Sequence, residues 1–415
     1  MPSFSSRLLV AALLLGSSTT ALAGAGDGIR VGGADGRLHP FVELEGRYDT
    51  NVFVGLSGQK EADAIVHVRP GLSLAVPGDL TTVDFYGMVD WAQYLGLNND
   101  SAKGVDTSKL SKLYAEAKLG VGVNKKGTVS LEVTNLFRRS DQPQAQSLGA
   151  GVVSNYNALD VRVPYHPGGG ALTLGVGAGW SLETYESFFS GFNCDPAINS
   201  LCDATKVSKL GYNQISANGD VAWHFLPRTS ALLEASYFKR LPNDSALGLD
   251  AGGVRVSTGV TGLITPHLAA TAKAGYGTTL GVTPALSTWL ILAQGEWLPT
   301  EFASVKGTYA HDFAVDPQFT YDVNRIALDA KYLAGGRLSL GLHAGWDRLG
   351  YASSSATTNI LVASPSVGYE VAKWMRAELA YAYTDRSNSG LGAGTTVPVI
   401  DYTKSEAWLR LAFTY

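Results

Sequence analysis

The last eight residues, Trp408-Leu409-Arg410-Leu411-Ala412-Phe413-Thr414-Tyr415, decide how the rest of the chain is read. Successive side chains on an extended strand point to opposite faces, so Leu409, Leu411, Phe413 and Tyr415 share one face. An apolar row ending in an aromatic residue at the very end of the chain is one half of an alternating, two-sided strand. The same two-sided pattern recurs back along the sequence.

Composition says what kind of two-sided sheet this is. The chain has 415 residues, of which only 16% are Asp, Glu, Lys or Arg, against about 25% in a soluble globular domain. Glycine is abundant, at 48 residues, well above the usual ~7%. Hydrophobic residues make up 45%, too many for a disordered chain. Beyond the N-terminus, however, no segment approaches the ~18 uninterrupted apolar residues of a spanning helix. Low charge, abundant Gly, 19 Tyr and 8 Trp without long apolar runs point to an all-β fold, a transmembrane antiparallel up-and-down β-barrel. The formal net charge of −4 and the lack of a basic patch exclude nucleic acid as a partner.

The N-terminus reads as a secretory signal. Arg7 is its positive region, Leu8-Leu9-Val10-Ala11-Ala12-Leu13-Leu14-Leu15 its short apolar core, and Ala21-Leu22-Ala23 a small-x-small site. Cleavage is expected after Ala23. Residues 24–37 form a Gly-rich lead-in expected to be flexible, and 38–415 the barrel.

Short and long connections alternate along the barrel. The short ones carry Pro, Gly or polar residues: Pro77-Gly78-Asp79, Asn124-Lys125-Lys126-Gly127, Pro167-Gly168-Gly169-Gly170, Pro227-Arg228, Thr265-Pro266-His267, Pro299-Thr300, Gly335-Gly336 and Ala372-Lys373-Trp374. Such residues interrupt a ladder and favour turns. The longer connections fall near 97–108, 140–151, 186–207, 242–251, 281–285, 314–318, 352–357 and 389–398. Between them lie about eighteen strands (16–20), an even count with short periplasmic turns and longer extracellular loops.

The two faces of these strands differ in chemistry. In 337–351, Leu338, Leu340, Leu342, Ala344 and Trp346 oppose Arg337, Ser339, His343 and Asp347; in 374–388, Met375, Ala377, Leu379, Tyr381 and Tyr383 oppose Arg376 and Glu378. Trp91, Trp180, Trp289 and Trp346 fall toward the outer ends of apolar rows, Trp223 and Trp297 toward the periplasmic ends. Two Trp levels bounding an apolar belt are the signature of the two membrane interfaces. Outer-membrane lipid is therefore the expected surrounding.

A charge facing lipid at mid-membrane costs about 2–4 kcal/mol, which assigns the charged rows to the lumen. They are Glu43, Glu45 and Arg47; Arg69; Glu116 and Lys118; Asp160 and Arg162; Arg325, Asp329 and Lys331; Arg337; and Arg376 with Glu378. Two roles are open to them: pairing across strands to stiffen and wet the wall, or a transverse field that sets selectivity. Mixed signs argue against a strongly anion- or cation-selective pore. In the longest loop, Cys194 and Cys202 are expected to form a disulfide. That loop is either a closed surface element or a stiffened finger for gating or recognition. The seven His show no metal spacing and no Gly-x-Ser-x-Gly elbow accompanies them, so the reading is a non-enzyme without a cofactor.

Leu409, Leu411, Phe413 and Tyr415 resemble the C-terminal β-signal of bacterial outer-membrane proteins, which implies handling by the barrel-assembly machinery. Pro40-Phe41-Val42-Glu43-Leu44-Glu45-Gly46-Arg47-Tyr48-Asp49-Thr50-Asn51-Val52-Phe53, with Val68-Arg69-Pro70-Gly71-Leu72-Ser73-Leu74, resembles the outer-membrane β-barrel porin families. Some of their members are linked to secretion of extracellular polysaccharide. The resemblance implies a bacterial outer-membrane channel, a conduit for such a polymer working with a periplasmic or outer-membrane export protein. A general diffusion porin for small solutes and a non-conducting scaffold in an adhesion or motility complex are the other readings. Inward aromatics such as Tyr86, Tyr114 and Phe238 serve either to stack on sugars or to pack.

Overall fold

The computed structural model describes residues 28–31, 35–52, 61–97, 99, 106–142, 144, 152–168, 170–187, 203–389 and 401–415. The expected signal segment 1–23 and both cysteines of the expected disulfide, Cys194 and Cys202, lie outside these residues.

Eighteen strands make the wall. They are β2 Gly36–Asp49, β3 Asp63–Val76, β4 Thr81–Tyr94, β5 Lys112–Val123, β6 Leu131–Ser140 and β7 Val152–Tyr165. Next come β8 Leu172–Ser187, β9 Tyr212–Leu226, β10 Thr229–Pro242, β11 Gly252–Thr265, β12 Leu268–Leu280 and β13 Ser287–Thr300. The last six are β14 Ala303–Val315, β15 Thr320–Ala334, β16 Leu338–Tyr351, β17 Thr357–Ala372, β18 Met375–Ser389 and β19 Tyr402–Thr414. Each pairs antiparallel with its sequence neighbours, and β19 pairs with β2, from Glu406↔Asp49 to Thr414↔Phe41. That seam closes the sheet, so the wall has no free edge.

The first described strand and the C-terminal residue lie at one end of the barrel. A short strand β1, Ile29–Val31, pairs with Gly36–Leu38, and the Tyr415 amide donates to the Pro40 carbonyl at 3.0 Å. Within the 24–37 stretch, Ile29–Val31 is strand and β2 already begins at Gly36, because backbone groups beside a sheet bond to it rather than to water. The tight turns share this periplasmic end. In one of them Gly335 and Gly336 adopt φ of 58° and 74°, a conformation that a side chain disfavours.

The outward rows are apolar and bare. Val42, Leu44 and Tyr48 on β2 are 39%, 41% and 47% exposed, whereas Glu45 between them is 2% exposed. A sheet face that shuns charge yet lies uncovered is the face that meets lipid. Trp91 and Trp289 are exposed near the outer ends of their strands, Trp223 and Trp297 near the periplasmic ends. Tyr276 meets Trp289 edge-on at 5.7 Å on the outer level, and Trp374 stacks on Phe413 at 6.2 Å on the inner one.

The outer mouth is filled from within. A 3-10 turn, Thr107–Leu110, and a helix α1, Ala204–Lys209, come from two extracellular connections. Leu110, Val207 and Leu210 pack on Tyr94, Tyr114, Tyr185 and Tyr212 of the wall. The sequence had predicted strand from 208 here. Instead Asp203 caps α1, accepting from the Thr205 and Lys206 amides at 3.0 and 3.1 Å, and the strand waits until Tyr212.

Candidate functional site

The inward row of β2 reads Phe41, Glu43, Glu45, Arg47 and Asp49, because every second residue faces the lumen. Its neighbours at the seam present complementary rows: His67 and Arg69 from β3, Asp90 from β4, Lys404, Glu406 and Arg410 from β19, Glu378 from β18. Glu45 is the hub. Its side chain is fully shielded. Its Oε1 accepts from Arg47 Nε at 2.9 Å and Nη2 at 2.7 Å. Its Oε2 accepts from Arg69 Nη1 at 2.7 Å and Arg410 Nε at 2.9 Å. One carboxylate thus bonds three guanidiniums from β2, β3 and β19.

The network spreads from this hub along the wall. Arg69 Nε donates to Asp90 at 2.9 Å, and His67 Nδ1 donates to the same carboxylate at 2.9 Å. Arg47 reaches Glu406 at 3.1 Å, and Lys404 holds both Asp49 at 2.9 Å and Glu406 at 3.3 Å. Glu43 lies 3.8 Å from Arg69 and 3.9 Å from Arg410. Glu378 lies 3.4 Å from Arg376 and 4.0 Å from Arg410. Each acid of this network therefore has a cation within 4.0 Å. Charges in a low-dielectric wall tolerate burial only when paired and hydrogen-bonded in this way.

Of the residues read as lumen-facing, Glu43, Glu45, Arg47, Arg69, Arg376 and Glu378 come together in this network. Arg325 forms a separate two-pronged pair with Asp347 at 2.7 and 2.5 Å, and Asp329 accepts from His343 at 2.8 Å. Arg162 bonds Asp220 at 2.7 Å and lies 3.8 Å from Glu132. Their partners are on neighbouring or more distant strands, not on their own. Glu116 sits opposite Arg138 in the ladder, while Lys118, Asp160 and Lys331 are exposed on the inner side. Arg337 departs from the expectation: it lies in the exposed turn 335–337, ahead of β16, and stands at the rim rather than on the wall. Leu409 of the terminal row is 53% exposed and Tyr415 70% exposed; Leu411 and Phe413 lie on the same outward side.

The inward aromatics are packed. Phe41 and Tyr86 stack with centroids 5.6 Å apart and planes 14° from parallel, in space left open because residue 71 is Gly. Tyr114 lies in the mouth cluster. Phe238 lies in a second cluster with Leu290 and Phe313. Sequence reading missed Asp90, Glu406, Lys404 and Arg410 as members of the wall. The alternation held their signal, since each lies on the inward row of its strand.

The mouth treats buried acids differently. Asp63 is completely buried and accepts from the Gly96 and Leu97 amides, both at 2.9 Å, and from Thr107 Oγ1 at 2.7 Å. It anchors the incoming loop through neutral donors. Glu183, also 0% exposed, accepts from Tyr212 Oη at 2.7 Å, Ser154 Oγ at 2.6 Å and the Gln144 amide at 2.8 Å. Among the described residues, no group of three or more His, Cys, Asp or Glu is arranged to hold a metal ion.

A family model described as "Putative beta-barrel porin 2" matches residues 24–402. No curated protein matches the chain. Solved structures of similar form include OccAB3 of Acinetobacter baumannii, with 9% identity over 92% of this chain and 100% of that one and a TM-score of 0.47. OccK3 (OpdO) of Pseudomonas aeruginosa has 12% identity over 91% of this chain and 95% of that one, at 0.46. The siderophore receptor PirA of Pseudomonas aeruginosa has 10% identity over 91% and 80%, at 0.45.

Proposed function

This chain belongs to the β-barrel porin 2 family, a porin-like outer-membrane channel, and from that premise we propose that its cargo is a hydrophilic polymer, an extracellular polysaccharide on its way out. The observation that carries this reading is the compensated network around Glu45: each of its acids has a cation within 4.0 Å. Conduction needs a wall that admits the cargo without trapping it. Isolated charges would hold ions of the opposite sign. Paired charges instead offer hydrogen bonds and water to a hydroxyl-rich chain while binding neither sign strongly. The exposed inward side chains Lys118 and Asp160 extend this wet lining toward the periplasm.

Secretion in this form needs a polymer delivered at the periplasmic end, hence a periplasmic or outer-membrane export partner. The loops packed into the outer mouth then act as a closure that the passing chain displaces. Two measurements test the proposal. Purified protein in planar bilayers should carry current that rises when 95–111 is deleted. A strain lacking the gene should lose surface polysaccharide. Current with unchanged polysaccharide would leave a general diffusion porin. No current, even with the loop removed, would leave a non-conducting scaffold.

A further inference from the structure

Beneath the loops of the outer mouth, the inner side of the wall carries a tyrosine on several strands. Tyr94 ends β4, Tyr114 stands near the start of β5, Tyr185 near the end of β8 and Tyr212 at the start of β9. All four are buried. Leu110 of the 3-10 turn, Val207 of α1 and Leu210 just after it belong to the same cluster and pack on them.

This surface holds polar groups that lack partners. Among the described residues, the Tyr114 and Tyr185 hydroxyls are buried without a hydrogen bond, and so are Nε and Nη1 of Arg240 on β10. Tyr114 is 8% exposed, Tyr185 2% and Arg240 3%. The Arg240 guanidinium lies over the Tyr212 ring, 3.8 Å from its centroid, and its charge acts on the Tyr185 hydroxyl. Tyr114 joins them through the shared cluster, so the unpartnered groups form one patch. Buried polar groups normally have partners, because a group without one has given up water and gained nothing in exchange. The loops offer this patch only leucine and valine.

We propose that, once the loops lift, this tyrosine surface is a sugar-binding constriction that holds neutral units of the passing polysaccharide. The proposal rests on the channel reading above and names what its outer end recognises. A pyranose ring has flat C–H faces and a rim of hydroxyls. The faces suit aromatic rings, which offer broad apolar contact. The rim suits the unpartnered groups: a hydroxyl accepts from Arg240 and both donates to and accepts from tyrosine. An aromatic lining with a few placed polar groups is the usual make-up of a small-molecule site. Acidic sugars fit less well. Glu183 accepts from Tyr212 at 2.7 Å and Asp316 from Tyr321 at 2.7 Å, and both charges, like that of Arg240, act on Tyr185. Around Tyr185 two carboxylates thus face one guanidinium, which leaves no surplus positive charge to hold an anion.

Loop and sugar cannot occupy this surface together. Leu110, Val207 and Leu210 already cover the rings, so docking of the loops competes with the sugar, and weakening the docked state must strengthen sugar binding.

The experiment uses the full-length protein, intact or carrying Leu110→Ala with Val207→Ala, in planar bilayers. Short oligomers of dextran and of cellulose are added, and the concentration that halves the current is read. Polyethylene glycol of similar length serves as a chain without sugar faces. The loop variant should be blocked by at least one glucan at about tenfold lower concentration than the intact protein, as removal of a competing closed state allows. In that background Tyr114→Ala or Tyr185→Ala should raise the blocking concentration about tenfold, the size expected when a buried aromatic contact is lost. Tyr185→Phe, which keeps the ring face, should raise it less. Polyethylene glycol should show none of these dependences.

No block by either glucan, block no better than that of polyethylene glycol, or block indifferent to both tyrosines overturns the proposal while the channel stands. Tighter block by an oligomer of galacturonate than by either glucan assigns the patch to acidic groups and also overturns it. The absence of current from the loop variant and from the 95–111 deletion removes the channel reading itself, and the proposal with it. If an alanine variant fails to fold, Tyr114→Leu and Tyr185→Leu, which stay apolar but lose the flat face, are expected to show the same weakening.

Discussion

The seam wall and the outer mouth are built from inward-facing positions of the same sheet, yet they hide polar groups in opposite ways. At the seam, Glu45 is neutralised by three guanidiniums. At the mouth, Asp63 and Glu183 are held by amides and hydroxyls, and apolar loop residues exclude water around them. The wall gets its order from charge pairing between strands. The mouth gets it from the burial of loop side chains such as Leu110 and Val207. The first is stiff because it is part of the ladder. The second hangs on connections that bring few ladder bonds, so it can open without the barrel unfolding.

The sharpest way to break the comparison is at the hub. Glu45→Ala leaves Arg47, Arg69 and Arg410 facing one another without their shared acceptor. Removing one partner of a buried ion cluster costs about 3–5 kcal/mol. Guanidinium unfolding in detergent should register that loss for the whole barrel; an unchanged midpoint would show that the network contributes nothing to closure.

Next in size is Leu110→Ala at the mouth. The residue is 1% exposed, and truncating a buried leucine costs about 2–5 kcal/mol. Here the cost should fall on loop docking alone. Channel current should rise and amides of 107–110 should exchange faster, with global unfolding little changed. If instead the whole barrel weakens as much as in Glu45→Ala, the two regions are one cooperative unit.

Gly277→Val probes the second apolar cluster. A Cβ there would approach Phe313 Cε1 to 2.5 Å, and overpacking of this kind costs about 1–3 kcal/mol. A matching loss should appear in thermal unfolding, and Gly277→Val should cost less when introduced into a Phe313→Ala background. An equal cost in both backgrounds would mean that the clash lies elsewhere.

The smallest effect concerns pH in an outer loop. The Ala246 amide, donating to Asp244, and the nearby Lys209 hold this exposed carboxyl below its usual value. A depressed carboxylate stabilises the folded loop above its unfolded pKa of about 3.9, and that contribution is lost as pH falls through the lower folded value. Carbon NMR of the Asp244 carboxyl should show a midpoint below that of free aspartate. A midpoint at or above it would rule out the anchoring contacts.

Much of this was legible beforehand. The segments read at 337–351 and 374–388 match β16 (Leu338–Tyr351) and β18 (Met375–Ser389) to within one residue at each end, because alternation and turn residues are local signals. The inward direction of Glu43, Glu45 and Arg47 followed from the same two-residue period. Their partners did not. Arg410, which bonds Glu45, is 365 residues away in sequence, and no local pattern encodes a ladder register across the seam. Nor did α1 announce itself, since six residues capped by Asp203 carry little periodic signal and owe their place to the wall beneath them.

The sequence alone thus placed the strand count near eighteen, within a range of 16–20, and indicated the inward rows of the strands and the alternation of short and long connections. These follow from the pleat, from turn chemistry and from the cost of charge in hydrocarbon. Only the tertiary structure decided which cation meets which carboxylate and that the outer loops turn inward. Both depend on closing the sheet: closure brings β19 beside β2 and encloses a lumen whose apolar upper surface the loops can cover, and residues far apart in the chain become neighbours only then.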